Sequence, residues 1–251
     1  MIFVILVMVL VGLLIGLVRS GSPDQKEIRV ACAAAFRKPM EEIARQYEEE
    51  TGVSIVLSFG GSGALASQLQ IAGGDLFFPA HHSYLSELKE RKALLDSVPV
   101  ARMRPGLVVA PGNPKGIREL NDLANKDVRI SLTNESAAIR KATRGALKER
   151  GLLPKIKENL VVTKPTVTEV VEDVALGAAD VAIAWDAVVT NDPRVEWFGM
   201  DESIWQDSMS AMAILKTTIS REQATAFAKY CADPERGGAV FEEMGFRVSK
   251  D

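Results

Sequence analysis

The chain has 251 residues, of which 25% are charged, and a formal net charge of −3 at pH 7. This composition is typical of a globular protein with one large domain or two lobes. The slight negative charge gives no support to a nucleic-acid partner, because such a partner favours a basic face.

The two cysteines, Cys32 and Cys231, are far apart in the sequence and form no CxxC pair. The sequence also lacks the cysteine–histidine spacing of a metal site. A disulfide would require the two residues to lie close together outside the cytosol, and sequence alone does not show proximity. We therefore expect two buried free thiols, with a disulfide as the alternative.

The first 18 residues contain no charged side chain and almost no polar one. As a helix they would be roughly 27 Å long, enough to cross most of a bilayer's hydrocarbon core. Residues 1–19 are predicted to be a signal peptide or a membrane anchor, followed by a linker over residues 20–27. Because the run lacks a positive start and a good cleavage site, we favour an uncleaved anchor with the remaining chain outside the membrane. Arg19 on the C-terminal side slightly opposes that orientation.

From the linker to residue 104, strand-like and helix-like segments alternate. Met40, Ile43, Ala44 and Tyr47 have the spacing of one apolar helix face. The patterns predict strands over 28–35, 53–59 and 73–79, and helices over 39–51, 64–71 and 82–92.

The alternation continues through the rest of the chain. The patterns predict strands over 106–110, 128–132, 159–162, 180–185 and 208–215, and helices over 117–124, 137–150, 166–176, 221–232 and 236–244. Strands that alternate with helices indicate parallel βαβ units and an α/β fold.

One loop combines three glycines and a serine in four positions, from Gly60 to Gly63. Glycine lets the backbone approach a ligand closely, and the free amides at the start of a helix attract anions. The plainer interpretation is a βα turn capped by Ser62. Ligands of α/β sheets bind beyond the carboxyl ends of the strands. The loops predicted to lie there are 35–38, 60–63, 133–138 and 163–168.

Several motifs together resemble the molybdate- and tungstate-binding proteins of ABC importers, a class of periplasmic solute-binding protein. The resemblance covers residues 28 to about 246 and is most specific in the first third. It is carried by Ala33-Ala-Ala-Phe36, Pro39-Met-Glu-Glu-Ile-Ala44, Tyr47-Glu-Glu-Glu-Thr-Gly-Val-Ser54, Ser58-Phe-Gly-Gly-Ser-Gly-Ala-Leu-Ala66, Gly74-Asp-Leu-Phe77, Pro111-Gly-Asn-Pro114 and Gly177-Ala-Ala-Asp-Val-Ala-Ile-Ala-Trp185.

The resemblance implies a two-lobed α/β fold, the type II periplasmic-binding-protein fold, with the ligand in the cleft between the lobes. Lobe I would comprise residues 28–104 and 205–251, and lobe II residues 105–204. The tetrahedral oxyanion would be held by the hydroxyl of Ser62 and by the amides of Ala137 and Val167.

Two positions depart from the family pattern, which usually has a serine at Ala35 and often a tyrosine at Trp185. Ala35 offers only its amide, and Trp185 offers an indole N–H instead of a hydroxyl. Each hydrogen bond lost to a charged ligand costs roughly 1.5–3 kcal/mol. The cations Arg37, Lys38 and Lys164 lie near the predicted cleft, where they would either replace the lost hydroxyls or face solvent.

The resulting hypothesis is an extracytoplasmic solute-binding protein that captures a small oxyanion, molybdate or tungstate first, for an ABC permease. We expect a monomer with no cofactor, held at the membrane through its N-terminal segment. One alternative is a membrane-surface sensor for another small anion, and a weaker one is an enzyme acting on a small anion. No Gly-x-Ser-x-Gly elbow or GKS/T phosphate loop supports an enzyme. His81 and His82 lack a third metal ligand, and His82, at a helix start, is interpreted as a surface residue.

Overall fold

The computed structural model describes residues 27–201 and 209–248, which form two β-sheets with helices packed around them. The predicted membrane anchor or signal peptide and almost all of the linker lie outside the described residues. Within the described part, no helix combines the length and the apolar character that a membrane span requires.

The first sheet has six strands in the order β11-β4-β10-β3-β1-β2. β1 runs parallel to both β2 and β3, whereas β10 is antiparallel to β3 and β4. Its strands are β1 (Glu27–Ala33), β2 (Ser54–Gly60), β3 (Leu76–Phe78), β4 (Leu94–Arg102), β10 (Met209–Leu215) and β11 (Arg247–Val248).

Five α-helices surround the first sheet. The apolar face predicted on the first of them is confirmed, because Met40, Ile43, Ala44 and Tyr47 are all buried. Gly52 ends this helix with a positive φ of 70°, a conformation that favours glycine. The helices are α1 (Arg37–Thr51), α2 (Ser62–Ala72), α3 (Ser83–Glu90), α8 (Arg221–Ala232) and α9 (Gly237–Glu243).

The second sheet has five strands in the order β7-β6-β8-β5-β9. β6 is parallel to β7 and β8, whereas β5 is antiparallel to β8 and β9. Its strands are β5 (Pro105–Val109), β6 (Ile130–Thr133), β7 (Leu160–Lys164), β8 (Val181–Trp185) and β9 (Glu196–Gly199), with helices α4 (Ala138–Glu149), α5 (Leu153–Asn159), α6 (Val167–Ala175) and α7 (Asp186–Val189).

Several predicted elements are corrected by the structure. The first strand ends at Ala33, and Ala34–Phe36 forms a 3₁₀ turn instead of continuing the strand to residue 35. The helix predicted over 117–124 is a 3₁₀ helix over Leu120–Ala124. Both sheets are mixed and not purely parallel. In the first sheet β10 is antiparallel to β3 and β4, and in the second sheet β5 is antiparallel to β8 and β9. The sequence patterns also missed β4, β9, β11, α5 and α7.

The chain passes from the first sheet to the second between β4 and β5. At this crossing, Arg104 and Asp186 are joined by three hydrogen bonds. The Arg104 amide donates to the Asp186 Oδ1 atom at 2.9 Å, and the Arg104 side-chain Nε donates to Oδ2 at 2.9 Å. The Asp186 amide returns a 2.9 Å hydrogen bond to the Arg104 carbonyl oxygen. We call the part built on the first sheet lobe I and the part built on the second sheet lobe II.

Candidate functional site

The five predicted site residues, Ala35, Ser62, Ala137, Val167 and Trp185, all line one small cavity between the lobes. Its volume is about 20 Å³. That exceeds the roughly 10–15 Å³ that one water molecule needs and is far below the roughly 300 Å³ of pockets for organic ligands. The cavity therefore suits a compact ion. The other lining residues are Ala33, Ala34, Gly60, Gly61, Ala80, Ala138, Ile139, Pro165 and Thr166.

The lobe I wall is formed by the glycine loop at the start of α2. Gly61 is the N-cap residue and Ser62 is the first helical residue, so the plainer interpretation of Ser62 as the cap is wrong. Instead its Oγ accepts a 3.1 Å hydrogen bond from the Ala80 amide, and the residue is 2% exposed. This contact uses the acceptor side of the hydroxyl and leaves its proton free to be donated.

The lobe II wall is formed by the starts of α4 and α6. Ala137 is the N-cap of α4, but its amide donates to the Asn134 carbonyl oxygen at 3.1 Å, unlike the ligand contact that the resemblance implies. The next amides, of Ala138 and Ile139, belong to the first helical turn and have no acceptor within the helix. They are the donors that this helix offers to the cavity.

Helix α6 begins with a capping box. Thr166 Oγ1 accepts from the Glu169 amide, and the Glu169 carboxylate accepts from the Thr166 amide at 3.0 Å. The helix predicted over 166–176 therefore begins at Val167, with Thr166 as its N-cap residue. The capping box holds the first turn of α6 in place, and Val167 in this turn lines the cavity. The starts of α2, α4 and α6 thus place the positive ends of three helix dipoles around one small space.

Trp185, the last residue of β8, is 1% exposed. Its indole Nε1 is buried and has no hydrogen-bond partner within the described part of the chain. Because the indole nitrogen can only donate, an acceptor is missing here. Leaving such a buried donor unpaired costs about 1–3 kcal/mol, so the site favours an occupant that accepts a hydrogen bond.

None of the described side chains that line the cavity is charged. Arg37 pairs with Glu41 at 3.2 Å and lies over the Phe59 ring, and Lys164 pairs with Asp173 at 3.4 Å. These two predicted cations therefore serve contacts within their own lobes.

His82, interpreted as a surface residue, is half-buried, and its ring centre lies 4.2 Å from that of His81. His81 Nδ1 lies 2.9 Å from Ser83 Oγ. Among residues 27–201 and 209–248, no group of His, Cys, Asp and Glu has an arrangement that could hold a metal ion.

The model of the family described as bacterial extracellular solute-binding protein matches residues 28–247. The chain belongs to this family. Its two-sheet architecture is the type II periplasmic-binding-protein fold predicted from the sequence. The molybdate-binding protein ModA of Mycobacterium bovis is 27% identical over 226 residues, which cover 88% of this chain and 84% of that protein.

Solved structures of solute-binding proteins share the fold. The periplasmic molybdate-binding protein of Azotobacter vinelandii has a TM-score of 0.74 at 21% identity, over 89% of this chain and 100% of that one. The sulfate-binding protein SubI of Mycobacterium tuberculosis has a TM-score of 0.75 at 16% identity, over 89% and 87%. The iron-bound HitA of Pseudomonas aeruginosa has a TM-score of 0.68 at 16% identity, over 89% of each chain. These relatives are binding proteins, not enzymes.

The two lobes of this solute-binding protein touch on both sides of the glycine loop. A Cβ atom at Gly61 would lie 2.6 Å from the Pro165 carbonyl oxygen, and one at Gly63 would lie 2.6 Å from the Ser136 Cβ. Both distances are shorter than a carbon atom tolerates, so these two glycines are needed for the lobes to meet.

A larger groove of about 840 Å³ lies beside the cavity and shares four of its lining residues, Ala34, Ala35, Gly60 and Thr166. Both lobes line it, and Lys38, the third predicted cation, lies there and not in the cavity.

Sequence reasoning missed part of the cavity wall. Ala80 was not selected although its amide orients Ser62, and Ala138 and Ile139 were not selected although they follow Ala137 directly. The helix-start rule, that the first free amides follow the N-cap residue, would have indicated Ala138 and Ile139.

Proposed function

We propose that this solute-binding protein captures a small tetrahedral oxyanion, molybdate or tungstate first, and delivers it to an ABC permease. The observation that carries the proposal is that a cavity of ionic size is lined by Trp185, whose buried Nε1 has no hydrogen-bond partner among the described residues. An oxyanion supplies hydrogen-bond acceptors on all sides, which is what this donor and the surrounding helix starts require.

The cavity composition separates an anion from a metal cation. An iron or other cation site would need carboxylate, imidazole or thiolate ligands. The side chains lining this cavity are apolar apart from the hydroxyls of Ser62 and Thr166 and the indole of Trp185. Thr166 donates its O–H to the Glu169 carboxylate at 2.6 Å, so the Trp185 N–H and the Ser62 O–H are the side-chain donors that favour negative charge here. The likeness to an iron-bound protein therefore does not extend to the chemistry of the site.

Capture would proceed by closure of the lobes over the anion. Ser62 belongs to lobe I, whereas Val167 and Trp185 belong to lobe II, so a bound anion contacts both lobes only when they are closed. It therefore favours the closed form by its differential affinity for that form. We propose that the protein acts as a monomer on the outer face of the membrane, with its N-terminal segment as the anchor or signal peptide.

The test is calorimetry of residues 26–251 with molybdate, tungstate, sulfate and phosphate in turn, for the wild type and Trp185→Phe. Loss of one hydrogen bond to a charged ligand, about 1.5–3 kcal/mol, predicts roughly 10- to 150-fold weaker binding by the variant. Trp197→Phe is the matched control, because Trp197 Nε1 is equally buried and unpartnered but lies outside the cavity.

The proposal predicts tight binding of at least one of the four anions and a loss confined to Trp185→Phe. Equal affinities for the two tryptophan variants would remove Trp185 from the site. The absence of binding by all four anions would mean that the fold carries a different ligand.

A further inference from the structure

We propose that Tyr84, Glu87, Ser136 and Lys141 form a latch that holds the two lobes together and sets how slowly the ligand leaves. Tyr84 and Glu87 belong to α3 of lobe I, whereas in lobe II Ser136 lies just before the N-cap of α4 and Lys141 lies near the start of that helix. None of the four lines the cavity. The kinetic part of this inference rests on the proposed function, whereas its effect on lobe closure does not.

Two contacts of Lys141 cross between the lobes. Its Nζ forms an ion pair with Glu87 Oε1 and lies 4.0 Å from the centre of the Tyr84 ring. Glu87 and Tyr84 are three residues apart on α3 and therefore share one helix face. One ammonium group thus binds a carboxylate and an aromatic face that are both presented by the opposite lobe.

Tyr84 adds a third contact, because its hydroxyl donates a hydrogen bond to the Ser136 carbonyl oxygen. The side chain is 2% exposed. Burial, with a smaller contribution from the Glu87 carboxylate, raises the pKa of Tyr84 well above its usual value. The hydroxyl therefore keeps its proton at physiological pH and remains a donor.

The latch lies at the edge of the ligand cavity. Ser136 contacts Gly63 of the glycine loop as well as Tyr84. Ser136 precedes Ala137 and the first-turn amides of α4 that face the cavity. Opening of the latch would move those amides away from the anion, so the latch acts on the ligand through the position of α4.

The large groove beside the cavity shows a different arrangement of charges. Arg37 pairs with Glu41 inside lobe I, and Arg194 pairs with Glu172 at 2.7 Å inside lobe II. These ion pairs persist whether the lobes are open or closed. The Lys141–Glu87 pair depends on closure, so it alters the balance between the two forms.

The first experiment measures closure without reference to any ligand. Spin labels at Gln70 on α2 and Lys148 on α4, both exposed, report the distance between the lobes. The native cysteines are buried and would not compete for the label. We expect Lys141→Met, Glu87→Gln and Tyr84→Phe to lower the fraction of ligand-free molecules at the short distance.

The matched control is Arg45→Met, which removes ion pairs to Glu42 and Glu49 within the single helix α1. It should leave the distance distribution unchanged. The three latch substitutions remove contacts between the lobes and, among the described residues, no ion pair or hydrogen bond within either lobe. The unfolding temperature of the ligand-free latch variants should therefore match that of Arg45→Met. Distance distributions identical to that of Arg45→Met in all three latch variants would overturn the proposal.

The second experiment measures dissociation of molybdate, or of whichever of the four anions the wild type binds, by stopped-flow tryptophan fluorescence. Half-exposed ion pairs and cation–π contacts of this kind predict about three- to tenfold faster dissociation for Lys141→Met. The association rate should change less, because mutations in one interface act mainly on dissociation. Dissociation as slow as in Arg45→Met would refute the kinetic role. If no anion binds, the proposed function fails while the distance measurement still decides whether the latch exists.

Discussion

The substitution Gly63→Ala separates closure of the lobes from stability of the fold. Gly63 is the second residue of α2, and it lies against Ser136 of the other lobe. An alanine Cβ at this position would lie 2.6 Å from the Ser136 Cβ and equally close to its Oγ. The backbone of Ser136 is also in contact, so rotation of one side chain does not relieve the clash.

Two opposite effects of the alanine can be estimated. Forcing one extra carbon into a closely packed contact costs about 1–3 kcal/mol, which corresponds to roughly 5- to 150-fold weaker ligand binding if only the closed form binds. Replacing glycine by alanine inside a helix stabilises that helix by up to about 0.5–1 kcal/mol. The ligand-free protein should therefore unfold at the same or a higher denaturant concentration while its affinity falls.

Calorimetry with the bound anion and urea unfolding of the ligand-free protein measure the two quantities separately. Gly145→Ala in α4 is the control, because a Cβ there would have no neighbour within 4 Å. It should give the helix stabilisation without loss of affinity. Unchanged affinity in Gly63→Ala would refute the argument that closure requires this glycine. A loss of stability in the ligand-free protein would show that contact between the lobes also stabilises the fold.

Three further outcomes follow from single residues. Ala35→Ser adds a hydroxyl at the cavity wall and should tighten anion binding about three- to tenfold by calorimetry, and equal or weaker binding would contradict an anion contact there. Ser62→Ala removes a donor and should weaken binding at least several-fold, whereas an unchanged dissociation constant would exclude Ser62 from the site. Burial raises the pKa of both Cys32 and Cys231. Iodoacetamide should therefore modify neither thiol in the native protein at pH 8, and both thiols after unfolding in guanidinium. Fewer than two reactive thiols after unfolding would indicate a disulfide.

The sequence was informative wherever one local rule decided the structure. The spacing of Met40, Ile43, Ala44 and Tyr47 predicted the buried face of α1, and glycine with β-branched neighbours predicted the turn from β2 into α2. The burial of both cysteines as free thiols is also confirmed. These features depend on neighbours within about one helical turn, which a pattern can describe.

Features that depend on distant partners were not predictable in the same way. β4 contains Pro99 and follows no clear alternation, yet it forms a strand because β10 and β11 lie beside it. The plainer interpretation of Ser62, as the cap of its own helix, is wrong because the amide of Ala80, 18 residues away, donates to its hydroxyl instead. The pairing of Lys141 with Glu87 likewise joins residues 54 positions apart, and no sequence pattern indicated it.

The absence of carboxylates from the described cavity wall has a consequence for an oxyanion that still carries a proton. Such an anion needs an acceptor for its own O–H group, and no described lining side chain offers a charged one. One of the two acceptor lone pairs is already used on Ser62 Oγ by the Ala80 amide and on Thr166 Oγ1 by the Glu169 amide. Phosphate keeps at least one proton near neutral pH, whereas molybdate, tungstate and sulfate are fully deprotonated. The cavity would therefore favour fully deprotonated anions over protonated anions of similar shape. Its affinity for phosphate would rise only at strongly alkaline pH, where phosphate loses its last proton.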